Sequence, residues 1–305
     1  GFGTSDYSQI RVVVGVSGTR PTKWTSSSSV RCKVGRGVGG GRVISVDTGN
    51  AETAVENPLV PPPRRPVFHL DASTLGLAHG AAVSSWTDTV GGNHAYQGTG
   101  SKQPTFVRAA LNDKPVVRFD GTDDFLQIPD ALIALLPTAV SLHIVATLRD
   151  GDYNLLTTSA TMSSTGVFWR WSGTGQAYMG PFHTDTRADN YADMPATGSY
   201  SFTLESSSAA YNLYRGATQI GTKAGSFHSG NTGQLKIGSE DNGGDVQRML
   251  DGDIAEIIIF DGVLTTDERL GLAAALQVKW GLIDGVTATA AQLQLGYAIL
   301  GLNPF

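Results

Sequence analysis

At 305 residues the chain has room for one large β domain and a smaller one, so core size does not limit it. Only 16% of residues are charged, the net charge is −5 and no long Lys/Arg run occurs, which argues against nucleic acid as a partner, because phosphate binding needs a concentrated basic surface. The 38 glycines suit short strands and tight turns better than helices, no window reaches the uninterrupted apolar length of a membrane span, and the single cysteine, Cys32, precludes an intrachain disulfide.

The chain opens at Gly1 without an initiator Met or signal peptide, from which the expectation is a removed leader or a longer parent product. Residues 1–57 read as a small β unit. Residues 10–14, 29–34 and 42–46 are β-branched, alternating runs separated by Gly and Ser clusters. Arg31, Lys33, Arg36 and Arg42 fall among glycines here and read as a solvated strand edge. Five prolines in Asn57-Pro-Leu-Val-Pro-Pro-Pro-Arg-Arg-Pro66 mark residues 58–66 as an extended linker.

From Val67 onward the pattern is all-β. Strand composition recurs at residues 67–70, 116–119, 141–148, 167–171, 200–205, 211–215, 234–237 and 254–260, with turn dipeptides such as Asp150-Gly151 and Asp261-Gly262 between them. This spacing suits two stacked antiparallel sheets. One helix is expected near the end: Thr265 or Thr266 caps it, Asp267 and Glu268 favour its positive end, and Leu270, Ala273, Ala274 and Val278 recur at helical spacing.

Trp86-Thr-Asp88, Val116-Val-Arg-Phe-Asp-Gly-Thr-Asp-Asp124, Asp253-Ile-Ala-Glu-Ile-Ile-Ile-Phe-Asp261 and Lys279-Trp-Gly-Leu282 occur in an order that resembles a LamG-like, concanavalin A-type jelly roll over residues 67–283. The N-terminal unit, through Gly1-Phe-Gly-Thr-Ser-Asp-Tyr-Ser8, Trp24-Thr-Ser-Ser-Ser-Ser-Val-Arg-Cys32 and Gly37-Val-Gly-Gly-Gly41, resembles an IPT/TIG Ig-like repeat that lacks its first strand or two. The second cysteine common in such repeats is absent near Thr19 and Arg20, so Cys32 reads as a small buried apolar residue. Together the resemblances imply an all-β chain: a partial Ig-like sandwich followed by a two-sheet jelly roll with one short helix near the C-terminus. An incomplete Ig-like sheet exposes unpaired backbone groups, so a strand is expected from elsewhere in the chain or from a neighbour.

The jelly-roll fold hosts glycan hydrolases as well as lectins. Retaining glycosidases need two carboxyls about 5 Å apart, supplied in that fold by an alternating Glu-x-Asp-x-x-Glu strand. That motif is missing, and Glu256 has Ile254, Ile258 and Phe260 at its even offsets, so the expectation is no enzyme. No cofactor is expected apart from a candidate Ca²⁺ site at Asp120, Asp123 and Asp124. Asp-Gly-Thr-Asp is equally good turn chemistry, in which carboxylates accept backbone N–H bonds. Asp241, Asp245, Asp251 and Asp253 form a second group of loop acids. The six histidines show no zinc spacing. Candidate sugar contacts are Trp169, Trp171, Tyr178 and Arg187, with Arg170, Gln176, His183, Asp185 and Asp189 nearby. The competing reading makes Trp169 and Trp171 an inner-sheet pair.

After Leu282 comes a tail, residues 284–305, uncharged from Val286 to Phe305. As a strand it aligns Leu293, Leu295, Tyr297 and Ile299; as a helix it aligns Leu293, Tyr297 and Leu300. Either way it is expected to be ordered by contact, along its own domain, on a neighbour, or by donating a strand. The functional expectation is a non-enzymatic extracellular or surface subunit whose partners are copies of itself, joined through this tail and the N-terminal unit. The alternative is a glycan-binding lectin module, and a glycoside hydrolase ranks behind both.

Overall fold

The computed structural model describes residues 63–302 apart from 130, 133–135, 138, 150–152, 159–167, 173–175, 180–196, 225–234, 243–244 and 248, together with the backbone of five short strands before residue 63. It divides into two compact units, Gly1–Pro62 with Gly301–Phe305, and Pro63–Leu300. In the first unit, β1 (Arg11–Val14), β2 (Ser17–Gly18), β3 (Thr22–Ser26), β4 (Ser29–Cys32) and β5 (Ile44–Asp47) form an antiparallel sheet of order β2-β1-β5 and a separate β3-β4 hairpin. The expected Ig-like edge and the surroundings of Cys32 lie outside the described residues.

The second unit is a two-sheet antiparallel sandwich. Its strands, in chain order, are β6 (Phe68–Asp71), β7 (Ser85–Trp86), β8 (Ala95–Tyr96), β9 (Thr105–Leu111), β10 (Lys114–Asp120), β11 (Leu126–Ile128), β12 (Val140–Leu148), β13 (Tyr153–Thr158), β14 (Phe168–Ser172), β15 (Gln176–Met179), β16 (Gly198–Ser206), β17 (Ala210–Arg215), β18 (Thr218–Ala224), β19 (Leu235–Ile237), β20 (Glu240–Asn242), β21 (Asp245–Gln247) and β22 (Asp251–Phe260). The larger sheet runs β18-β17-β16-β12-β22-β10-β9 and the smaller runs β15-β14-β13-β19-β11-β8-β7. On its free edge β22 is shared between two strands. Residues Asp251 to Ile254 pair with β10, and Glu256 to Ile259 pair with β6.

Alternation along the strands builds the core. Phe68, Leu70, Val117, Phe119, Leu142, Ile144, Phe202, Ile257 and Ile259 from the larger sheet meet Trp86, Leu126, Ile128, Leu156 and Ile237 from the smaller, all fully or almost fully buried. Each such side chain contributes about 1.5–3 kcal/mol through the apolar area it removes from water. A bulge opposite the Val145/Ala146 step resets the register of β22, so that Val145 pairs with Glu256 while Ala146 pairs with Ile254. Glu256, Ile258 and Phe260 therefore share the face away from the sandwich core.

That outer face is covered by helices. α1 (Thr266–Trp280) begins in a capping box between Thr265 and Glu268 and ends at Gly281, which takes a left-handed conformation (φ 65°). Its Leu272, Ala275, Leu276 and Trp280 pack on Val116, Val145, Ala255 and Ile258. The tail forms a second helix, α2 (Ala290–Ile299), with its own Thr289–Gln292 capping box. Gly271 and Gly296 let the two helices meet backbone to backbone: a Cβ on either would collide with the other helix.

One expectation is corrected by this arrangement: the unit carries two helices near its end rather than one. Of the states left open for the tail it takes the helical one, and its Leu293, Leu295, Tyr297, Ile299 and Leu300 all pack into the cluster beneath α1 and α2 of their own unit. The helical stripe inferred for α1 is also displaced. Val278 is 56% exposed while Gly271 through Leu276 are buried, because α1 is sandwiched between a sheet and α2 and has two buried sides.

Candidate functional site

Three groups of polar residues deserve comparison, each placed by a different part of the fold. The first lies under α1. Glu256, His69 and Asp71 share the helix-facing side of the larger sheet, since Asp71 pairs with Glu256 and His69 with Ile258. His69 Nε2 is 2.7 Å from Glu256 Oε1. Lys279 Nζ donates to Asp71 Oδ2 (2.6 Å) and to Glu256 Oε2 (2.8 Å), and Trp280 Nε1 donates to Glu256 Oε2 (2.5 Å). Glu256 is 1% exposed, Asp71 7% and His69 8%.

Burial alone would raise the Asp71 carboxyl, but the Lys279 ammonium and bonds from Lys279 and Ser73 outweigh it and hold the group below the usual carboxylate range. Lys279 shows the mirror case. Burial works to lower it, and the charges of Glu256 and Asp71 raise it above the ordinary lysine value. His69, Asp71 and Glu256 offer ligand atoms close enough for a metal, but Lys279 already occupies the space between the carboxylates. Both carboxylates lie beneath α1 and are paired with Lys279, as buried charges require.

A second buried group shares the same face. Arg269 on α1 pairs with Glu205 (3.3 Å) and lies 3.8 Å over the Tyr214 ring, while Thr203 Oγ1 is 2.8 Å from His143 Nδ1. Burial, aided by the Arg269 charge, pushes His143 down to about 3.

The candidate Ca²⁺ carboxylates, Asp120, Asp123 and Asp124, do come together at the end of β10, with ligand atoms within 4.8 Å of one another. Their oxygens are engaged in the turn: Asp120 Oδ1 accepts from the backbone N–H of Thr122 and Asp123, and Asp124 Oδ2 accepts from that of Asp120. Burial, and then the neighbouring Asp120 charge, raises Asp124 to about 6. Asp253 and Asp251 are ion-paired. Arg118 grips Asp253 with two bonds (2.7 and 2.9 Å), and Arg149 reaches Asp253 (2.6 Å) and Asp251 (3.1 Å).

The third group lies on the outer face of the smaller sheet, the side away from both helices. Cross-strand register runs Ser85–Tyr96–Gln127–Lys236–Thr157–Phe168 through β7, β8, β11, β19, β13 and β14. Tyr96 is 42% exposed, Gln127 is half-buried, and Lys236 is 4% exposed with its ammonium 5.1 Å from the Phe125 ring. The flanking residues Leu126, Ile128, Leu235 and Ile237 are buried in the core, as period-2 alternation requires. Lys102 lies 5.9 Å from the same Phe125 ring. An exposed aromatic ring and a half-buried amide thus stand side by side, with a buried cation next in register.

Of the residues singled out for sugar contact, Trp169 and Trp171 on β14 pair with Leu156 and Tyr153, and Tyr178 on β15 pairs with Arg170. Their side chains, and Arg187, lie outside the described residues. Sequence reasoning missed Tyr96, Gln127 and Lys236, which sit on short strands too brief for a periodic signal. It also passed over His69, Asp71 and Lys279. The signal for those was present: an acid amid Ile254, Ile257, Ile258 and Ile259 demands a buried partner.

No protein-family model matches the chain, and no curated protein matches it by sequence. Several solved structures align with part of the chain. Domain 4 of AbnA, a GH43 extracellular arabinanase from Geobacillus stearothermophilus in complex with arabinotriose, aligns with a TM-score of 0.50 at 13% identity, covering 68% of this chain and 97% of that domain. Trypanosoma rangeli sialidase in complex with sialic acid aligns at 0.49 and 14% identity over 69% of this chain. The match spans 33% of that sialidase. The CBM40 domain of Ruminococcus gnavus IT-sialidase aligns at 0.38 and 19% identity, over 46% of this chain and 84% of that domain. At this identity the AbnA likeness bears on the fold alone, a β-sandwich.

Proposed function

We propose that residues 67–283 are a LamG-like, non-catalytic glycan-binding module of an extracellular or surface protein, with the outer face of the smaller sheet as its ligand face. The observation that carries this reading is the exposed Tyr96 in register with the half-buried Gln127. A sugar ring stacks its C–H face on an aromatic, and its hydroxyls need planar amides and cations as hydrogen-bond partners. The AbnA domain, whose structure holds arabinotriose, lends the reading support by fold. For the non-catalytic part, Asp71 and Glu256 are sealed under α1, Asp251 and Asp253 are paired with Arg149 and Arg118, and Asp120 and Asp124 accept backbone N–H bonds within their turn.

The subunit reading receives less support, because the tail that was to join neighbours is packed on its own unit. The test is a glycan array probed with the full chain, with and without chelator, spanning arabinan and sialylated oligosaccharides. Binding that Tyr96→Ala reduces at least about tenfold is the expected result. Loss with chelator would assign Ca²⁺ a part at Asp120, Asp123 and Asp124. Silence across the array, or release of reducing ends from a bound glycan, would sink the proposal.

A further inference from the structure

The group under α1 is arranged for a covalent reaction as well as for an ion pair. We propose that Lys279 and Asp71 join through an intramolecular isopeptide bond, with Glu256 carrying the proton. The amine nitrogen lies 2.6 Å from Asp71 Oδ2 and 2.8 Å from Glu256 Oε2, so nucleophile, acyl acceptor and proton carrier are in mutual contact. The other carboxyl oxygen, Asp71 Oδ1, accepts from the Ser73 backbone N–H (2.8 Å) and from Ser73 Oγ (2.6 Å). Two donors therefore already point at the atom that carries negative charge in the tetrahedral intermediate. Glu256 is itself steadied by Trp280 Nε1 on Oε2 and His69 Nε2 on Oε1.

The step balances without any co-reactant. Glu256 takes a proton from the Lys279 ammonium and passes it to Asp71 Oδ2, leaving a neutral amine beside a neutral acid, and the negative charge stays on Glu256. Nζ then attacks Asp71 Cγ while Oδ1 takes up the charge between its Ser73 donors. Glu256 removes a proton from Nζ and delivers it to Oδ2, which leaves as water, and the Cγ–Nζ amide remains. Burial excludes the water that would reverse the reaction, while the ion pair favours the charged amine and carboxylate and makes the first proton transfer the uphill step. The linked residues are 208 apart in sequence and tie the first strand of the sandwich to the last turn of α1. A chain with one cysteine has no disulfide route to such a closure.

This inference is independent of glycan binding and is tested by mass. The purified full chain, denatured, is expected to be lighter than its sequence by one water, and proteolysis to give a branched peptide joining Asp71 to Lys279. Lys279→Arg, which keeps the charge, and Glu256→Gln should each restore the full sequence mass. A wild-type chain at full mass overturns the proposal. So does a water loss that persists in Lys279→Arg, which belongs instead to a succinimide at an Asp-Gly step such as Asp120-Gly121. If Glu256→Gln does not fold, the branched peptide from the unaltered chain decides alone. A branched peptide persisting in a folded Glu256→Gln overturns the role given to Glu256.

Discussion

The two outer faces of the sandwich both carry polar side chains and use them in opposite ways. Under α1, Glu256, Asp71, Lys279 and Arg269 are buried, paired with one another or with Glu205, and shut off by two helices. Across the smaller sheet, Tyr96 is open to solvent and Gln127 half open, and no helix among the described residues covers them. A buried ion pair contributes little net stability over an apolar pair of the same shape, but it punishes any arrangement that separates its members. The covered face therefore fixes which strand and which helix meet, while the uncovered face is free to meet something else.

That contrast can be broken from either side. Glu256→Ala leaves Lys279 and Asp71 buried with one partner fewer and is expected to cost about 3–5 kcal/mol in denaturant unfolding. A loss under about 1 kcal/mol would show the network to be ornamental. Next in size is an acid effect at His143. Because the fold keeps this ring neutral down to about 3, the unfolded chain takes up the proton first, from an ordinary value of 6.5. Its contribution is full above 6.5 and is lost as pH falls through that window, on the order of 2–4 kcal/mol by about pH 4. His143→Gln should flatten the fall, and an unchanged acid limb would place the titration elsewhere.

A smaller effect is expected where the two helices touch. Gly271→Val forces α2 off α1 and should cost about 1–3 kcal/mol, read as a lower unfolding midpoint. Smallest is Tyr96→Ala, expected to shift stability by under about 0.5 kcal/mol while weakening glycan binding. A large stability loss there would mean that the open face is structural too.

Strands long enough to show a period were legible in the sequence. Residues 141–148 and 254–260 were read almost as they stand in β12 and β22, because fully buried strands are continuous apolar runs. β9 was missed because Arg108, Ala109 and Ala110 are exposed and break the alternation. The start of α1 was legible to within one residue, as Thr265 or Thr266, and the structure places the cap at Thr265, whose three-residue spacing to Glu268 closes a capping box. The state of the tail was not, because Leu293 and Tyr297 fit both periods, with Leu295 and Ile299 completing a strand face and Leu300 a helical one, until the glycine contact with α1 is known. The proposed ligand face was legible least. Tyr96, Gln127 and Lys236 become neighbours only through register between strands far apart in the chain.

The divided edge of β22 has a consequence for synthesis. Half of that edge is filled by β6, whose His69 lies 187 residues before its partner Glu256. At ribosomal speeds the first strand waits roughly 10–40 s before the strand that completes its ladder exists. Phe68 and Leu70 must spend that interval in a nascent chain without their final partners, so this half of the ladder closes only after nearly the whole domain has been made.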